Sequence, residues 1–376
     1  MANRRLTVLQ ILPALETGGV ERGTLEVAEA LVAAGHRSIV VSSGGRLVED
    51  LVAGGSEHMC LPVASKSLVT LLQVRPLRRL LQAEQVDIVH ARSRVPAWVS
   101  WLAWRGMNEQ QRPRFVTTVH GLYSVNRYSA IMTRGERVIA VSDTARRYIV
   151  DNYRNVDQDK IVTIYRGVDP AQFPYGYKPA AAWLEAWNAQ YSLLRGRKVL
   201  TLPGRLTRLK GHVDFIGLIA RLLERGLNVH GLIVGHLDPQ RQKYINELQG
   251  TIRKQGLEDR ITLTGRRDDM REIYAVSDLV LSLSNKPESF GRTVLEPLCM
   301  GVPAVGYDHG GAGEILACLF PQGRAPLGDQ AVLCLTAERL LEHPEVVVRS
   351  DAYALQDMLA STLALYAELA AEDHRD

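Results

Sequence analysis

Two strand–loop–helix units begin the two halves of this 376-residue chain, and their shared pattern restricts the fold more than any other feature. In the first, the apolar, β-branched run LTVLQIL predicts a strand and PALETGG a loop. The segment VERGTLEVAEALVAAG then predicts a helix with Val20, Val27 and Leu31 on one stripe, closed at Gly35. In the second, KVLTL is the strand, PGRLTRLKG the loop and HVDFIGLIARLLERG the helix. Val213, Ile216, Ala220 and Leu223 are expected on its buried face, and Gly226 ends it. Further strands are predicted at SIVVSS, DIVH, FVTTVH, RVIAVS, VHGLIVG, RITLTG, DLVLSL and VPAVGY, with helices or loops between them. Strands that alternate with helices build parallel sheets covered on both faces, so the class is α/β with two doubly wound domains.

Proline and glycine interrupt YRGVDPAQFPYGYKP, residues 165 to 179, and break both helices and central strands there. The linker is therefore expected at about 165–197, with a first domain over 1–170 and a second over 171–350. Residues 351–376 are rich in alanine and leucine and are expected to form a helix that packs back on the first domain, the alternative being a terminal helix of the second. Ligands of open α/β sheets bind beyond the carboxyl ends of the strands, so two facing domains would enclose a cleft. His90 after DIVH, His120 after FVTTV and Arg205 after KVLTL stand at such ends.

Composition narrows the function. A content of 46% hydrophobic and 23% charged residues is that of an ordinary globular protein. Four widely spaced cysteines without any C-x-x-C argue for a reducing cytoplasm and against a zinc ribbon or disulfide framework. The start, MANRRLTVLQILPALETGG, imitates a secretion signal but lacks a small-x-small cleavage site, which favours a buried first strand. The longest apolar run, VPAWVSWLAW, is closed by Arg94 and Arg105 and is too short to cross a bilayer. The net charge is +4, yet residues 60 to 147 carry 14 Lys and Arg against 5 Asp and Glu. That bias suits an anionic lipid surface or phosphorylated partner, or else arginines scattered over solvated helices; no nucleic-acid partner is expected.

The loop GRLTRLKG sets Arg205 and Lys210 just before a helix start, where cations join backbone N–H groups in an anion site. It is not a Walker A loop, since G-x-x-x-x-G-K-[ST] is absent. In NKPESFGRTVLEPLCMGVP, Glu288 and Glu296 lie eight positions apart around Ser289-Phe290-Gly291. Paired carboxylates suggest acid and base work on a glycosidic bond.

A different division of labour emerges from GGVER, TVHG, VIAVSDTARRYI, RGVD…F, GRLTRLKG and ESFGRTVLEPLCMGVPAV, which occur in this order. Together they resemble the family 4 glycosyltransferases of the GT-B architecture, two Rossmann-like domains facing each other across a cleft. The resemblance implies retaining transfer of a sugar from a nucleotide sugar to an acceptor hydroxyl. Arg205 and Lys210, with Gly204, would bind the diphosphate; Glu296 would accept from ribose hydroxyls, and Glu288 from those of the donor sugar. Phe290, Gly291, Arg292 and Thr293 would bring a helix start to the phosphates, and Gly18 and Gly19 a close backbone in the first loop. His120 would reach the donor sugar near the reacting carbon, whereas a structural role for His90 is at least as well founded. Backbone near Arg266 and Arg267 would address uracil or another base, Asp268 would cap the next helix, and Arg22 would reach into the cleft or face solvent. Cations at the diphosphate stabilise charge that grows as the anomeric bond breaks, so no metal or other cofactor is required.

Two departures stand out. Ser289 replaces a glycine common in this loop, and Arg292 an apolar residue, which raises the expectation that Arg292 recognises an additional anionic group. HARSRVPAWVSWLAWR and SNKPESFGR are most similar to enzymes of lipopolysaccharide core assembly. The resemblance therefore implies a hexose or N-acetylhexosamine, from a donor expected to be UDP-linked, passed to a cell-envelope glycan on the cytoplasmic side. The first half would rest on the anionic inner leaflet, with Trp98, Trp101 and Trp104 either at that surface or in a core helix. Domain closure about residues 165–179 would accompany catalysis. Competing readings are a GT-B nucleotide-sugar epimerase, a phosphorylase, for which no pyridoxal lysine is identified, and a non-catalytic nucleotide-sugar-binding protein.

Overall fold

Every named strand runs parallel to its neighbours, as expected of sheets whose central strands are apolar and buried on both faces. The computed structural model describes residues 4–16, 18–154, 156–238 and 241–372. Two units divide the chain: the first runs to Gly167 and resumes at Leu355, and the second is Val168–Ala354. The first unit holds β1 (Thr7–Ile11), β2 (Arg37–Ser42), β3 (Glu57–Cys60), β4 (Ile88–Ala91), β5 (Arg114–Val119), β6 (Arg137–Ala140) and β7 (Ile161–Thr163), in the order β3-β2-β1-β4-β5-β6-β7. The second holds β8 (Lys198–Pro203), β9 (Val229–Val234), β10 (Ile261–Gly265), β11 (Leu279–Ser282), β12 (Ala304–Tyr307) and β13 (Arg324–Ala325), in the order β10-β9-β8-β11-β12-β13. Each is a doubly wound, Rossmann-like sheet. The winding reverses between β1 and β4 in one and between β8 and β11 in the other, where such sheets bind ligands.

Three strands, β3, β7 and β13, were not expected from the sequence, and each is an edge strand. EHMC in β3 has no fully buried residue, so no apolar run announces it. The helix Gly19–Ala33 buries Val27 and Leu31 as expected. The helix His212–Glu224 corrects the expected stripe: Val213 is 55% exposed, and His212, Phe215, Ile216, Ile219 and Leu222 face inward. The spacing was right and its phase one residue late. The buried His212 takes the place assigned to Val213, its pKa pushed down to about 4 by burial, so it packs as a neutral ring.

The helix Leu355–Ala371 completes the core of the first unit, with Met358, Leu365, Tyr366 and Leu369 buried among Leu6, Val8, Val27, Leu31, Ile88 and Val116. Residues 351–354 instead belong to the second unit, where the Val168 N–H donates to the Tyr353 carbonyl at 3.0 Å and Val168 forms a parallel bridge with Ala354. His90 has a structural place in this core. Its Nδ1 lies 2.6 Å from the Tyr366 hydroxyl and its Nε2 2.6 Å from the Thr118 hydroxyl. Burial, reinforced by the nearby Arg92 charge, holds the imidazole well below its ordinary pKa, so one ring nitrogen donates and the other accepts. Tyr366→Phe should leave the buried Nδ1 without that partner and lower stability by about 1–3 kcal/mol, read from the urea midpoint. An unchanged midpoint would contradict this role.

The indoles of the helix Arg94–Arg105 are half-buried. Trp98 donates from Nε1 to the Tyr128 carbonyl at 3.0 Å and Trp104 to the Pro113 carbonyl at 2.8 Å. Among the described residues no helix is long and apolar enough to cross a membrane.

Candidate active site

The loops that follow β8 and β11 meet where the second sheet reverses its winding. Lys210 Nζ lies 2.6 Å from Glu288 Oε1, across 78 residues of sequence. Gly211 permits the approach: it has φ +70°, and a Cβ there would fall 1.9 Å from the Leu283 carbonyl oxygen. Gly204 passes beneath the Lys210 stem, where a Cβ would lie 3.5 Å from its methylenes. The Ser284 hydroxyl donates to Glu288 Oε1, and His309 Nε2 lies 2.7 Å from the Ser284 carbonyl. Burial alone would raise the Glu288 carboxyl. The charge and hydrogen bond of Lys210, the Ser284 hydroxyl and the charge of Arg205 outweigh it and hold the group below its ordinary range. Arg205, Lys210 and Glu288 thus form one electrostatic group with an ionised carboxylate at neutral pH.

The start of the helix Gly310–Leu319 supports this loop from behind. The Gly311 N–H donates to the Glu288 carbonyl at 2.8 Å, and a Cβ on Gly311 would fall 2.1 Å from the Phe290 carbonyl oxygen. Gly310, Gly311, His309 and Ser284 were not singled out from the sequence. The glycines of DHGGAGE after VPAVGY are the one signal that marks them.

Glu296 lies in the helix Arg292–Cys299 and is 8% exposed. The Tyr274 hydroxyl donates to its Oε2 at 3.0 Å and Arg292 Nε to its Oε1 at 3.1 Å. The expectation that Arg292 recognises an additional anion meets a nearer partner here, the carboxylate four residues along its own helix. A carboxylate offers about four acceptor positions, so Glu296 keeps capacity for a ligand. Phe290 is buried edge-on to Tyr353, with ring centroids 5.9 Å apart. Gly291 occupies the N-cap position and Thr293 the first turn, where backbone N–H groups lack carbonyls four residues back within the helix.

Arg266 and Arg267 form a cluster of their own after β10. Arg266 Nη2 lies 3.0 Å from Asp268, while Arg267 Nε donates to Asp269 at 2.8 Å and its guanidinium lies over the Trp187 ring. The expected cap is corrected: Asp269, not Asp268, occupies the N-cap of Met270–Ala275, and its carboxylate takes the Trp183 indole N–H at 2.8 Å rather than a helix N–H. Both tryptophans stand on the helix Ala181–Gln190, Trp183 supplying the competing donor and Trp187 the ring beneath Arg267.

In the first unit, His120 follows β5, while Gly18 and Gly19 begin the helix after β1. Burial lowers the His120 pKa well below its ordinary value; the charges of Arg92 and Arg166 and the neighbouring His90 add to that, keeping the ring neutral. Arg166 donates from Nη2 to the Gly19 carbonyl, and its guanidinium occupies the space a Cβ on Gly23 would take, 2.6 Å away. Arg92 Nη1 donates to Gln10 Oε1 at 2.5 Å. Arg92, Arg166, His90, Thr118 and His120 line a cavity of about 20 Å³, the size of one water. Arg92 and Arg166 were not read as site residues; the arginine of RGVD was the available cue. Arg22 is exposed.

Residues 17–172 match the model for Glycosyltransferase Family 4, and residues 185–324 the model for Glycosyl transferases group 1. The crystal structure of a glycosyltransferase from Rickettsia africae superimposes with a TM-score of 0.84 at 30% identity, covering 98% of this chain and 99% of that one. The Anabaena protein HepE, crystallised with UDP and glucose, shares the fold with a TM-score of 0.81 at 20% identity over 97% of this chain and 100% of its own. N-acetyl-alpha-D-glucosaminyl L-malate synthase from Bacillus anthracis is 27% identical over 278 residues, 72% of this chain and 69% of that enzyme.

Proposed function

Because the chain belongs to the family 4 glycosyltransferases of the GT-B architecture, we propose that it moves a hexose or N-acetylhexosamine from a UDP-linked sugar to a hydroxyl of a cell-envelope glycan. In this reading transfer retains the anomeric configuration and uses no metal. The observation that carries it is the grouping of Arg205, Lys210 and Glu288 where the second sheet reverses its winding.

As the anomeric carbon–oxygen bond breaks, negative charge grows on the departing diphosphate, and Arg205 and Lys210 stabilise it more in the transition state than in the ground state. Gly204 and the helix start at Phe290, Gly291, Arg292 and Thr293 are proposed to flank the phosphates with backbone N–H groups. Glu288, ionised, accepts from hydroxyls of the donor sugar, and Glu296 from those of the ribose. Gly18 and Gly19 are proposed as a backbone surface for ligand and His120, neutral, as a contact of the donor sugar. Arg266 and Arg267 are proposed to meet the base through their backbone, since their side chains are engaged by Asp268 and Asp269. The UDP assignment is supported by analogy with HepE, and the envelope glycan, with lipopolysaccharide core as the specific case, by the sequence likeness at residues 90–105 and 284–292. Contact of the arginine-rich first half with an anionic membrane surface on the cytoplasmic side is proposed on charge alone.

The test is incubation with UDP-glucose, UDP-galactose and UDP-N-acetylglucosamine plus a truncated lipopolysaccharide acceptor, read as glycosylated product and free UDP. One donor should give both, with the anomeric configuration kept. EDTA should leave the rate unchanged; loss of rate restored by Mn²⁺ would reject the metal-free mechanism. An isomerised donor without product would favour an epimerase.

A further inference from the structure

A groove of about 690 Å³ on the first unit lies apart from every residue assigned above to donor chemistry. It is bounded by the helix Arg94–Arg105, residues 125–135 and residues 152–154 and 156–160. Trp98 and Trp101, half-buried and perpendicular with ring centroids 5.6 Å apart, line one side, and the Trp98 ring is fixed by its bond to the Tyr128 carbonyl. Arg127, Arg134, Arg154 and Lys160 also line it, all exposed.

Among the described residues, none of these four cations has a carboxylate within ion-pair distance, and they share one concavity. Elsewhere in the same unit Arg37, Arg112, Arg114 and Arg137 each hold a glutamate. Among the described lining residues Asp157 is the one carboxylate, and it is turned to its own loop, accepting from the Asp159 N–H at 3.1 Å. Charges of one sign around a concavity reinforce one another and draw an anion in. The volume is in the range of small-ligand sites, and indole faces beside cations suit a pyranose that carries a phosphate or carboxylate.

We propose that this groove binds an anionic oligosaccharide, a phosphate- or carboxylate-bearing stretch of the acceptor glycan at a distance from the hydroxyl that is glycosylated. The identification of the ligand as acceptor rests on the function proposed above. A concave site with recessed indoles favours a sugar chain over a bilayer, whose flat face would reach only the rim.

Trigalacturonate, maltotriose and phosphatidylglycerol vesicles are the probes, offered to the wild type and to a variant combining Arg127→Ala, Arg134→Ala, Arg154→Ala and Lys160→Ala. These side chains are exposed, so the variant should keep the wild-type melting temperature and UDP affinity. Trigalacturonate should alter tryptophan fluorescence, bind about tenfold or more tighter than maltotriose, weaken with salt, and lose about tenfold or more in the variant. In transfer assays the variant should raise the acceptor KM with little change in kcat. Equal binding of the neutral and anionic sugars, or trigalacturonate affinity unchanged in the variant, would overturn the proposal. So would vesicle binding that the variant loses while trigalacturonate never binds. Trigalacturonate bound here by a protein that transfers no sugar would leave the groove standing and sink the enzymatic reading.

Discussion

Lys210→Ala is expected to lower turnover by about a hundredfold or more while leaving the melting temperature close to that of the wild type. The charge removed is one of the two, with Arg205, proposed to face the departing diphosphate. The Lys210–Glu288 pair keeps about a fifth to a quarter of each side chain in solvent, so its loss has a modest effect on stability. A pH profile separates this from a structural defect. In the wild type the Glu288 carboxyl sits below its ordinary value of 4.5, and what its ionisation contributes is present above that value and lost only as pH falls through the lowered one. Without Lys210, burial is opposed only by Ser284 and Arg205, so the acid limb of kcat/KM should move to higher pH. Lys210→Arg should recover part of the rate. Unchanged kinetics in the alanine variant would contradict the phosphate assignment.

The second large effect is on nucleotide affinity. Glu296→Ala should weaken UDP binding by roughly tenfold to a hundredfold, the equivalent of a charged hydrogen bond of about 1.5–3 kcal/mol. It also releases Arg292 and the Tyr274 hydroxyl, which hold the two carboxylate oxygens at 3.1 and 3.0 Å. Glu296→Gln keeps an acceptor and should lose less. Titration calorimetry with UDP reads both, and wild-type affinity in the alanine variant would remove Glu296 from the ribose role.

The buried strands were legible because β4, β9, β11 and β12 are wholly buried and therefore mostly apolar, with His90, His230 and Ser282 the buried polar exceptions. Edge strand β3, with no buried residue, left no such run. For the same reason Arg205, Lys210, Glu288 and Glu296 could be placed in loops and on a helix from sequence, whereas their partners could not. The Lys210–Glu288 contact spans 78 residues and depends on two loops converging where the winding reverses. Position alone points to Asp268 as a cap; Trp183, which with the neighbouring Arg267 claims Asp269 instead, stands 86 residues away on a helix that spacing does not connect. His90 shows the limit from the other side. A histidine at a strand end reads the same whether it faces a ligand or, as here, a tyrosine 276 residues later.

That tyrosine has a bearing on how the polypeptide matures on the ribosome. Residues 168–354 form a unit that is fully synthesised before Met358, Leu365, Tyr366 and Leu369 emerge to complete the floor of the earlier one. The usual vectorial order, first domain first, is thus inverted for final consolidation. Until those residues emerge, the apolar side chains of the first unit that pack against them stay open to chaperone capture, and the helix Leu355–Ala371 acts as the latch that ends that exposure.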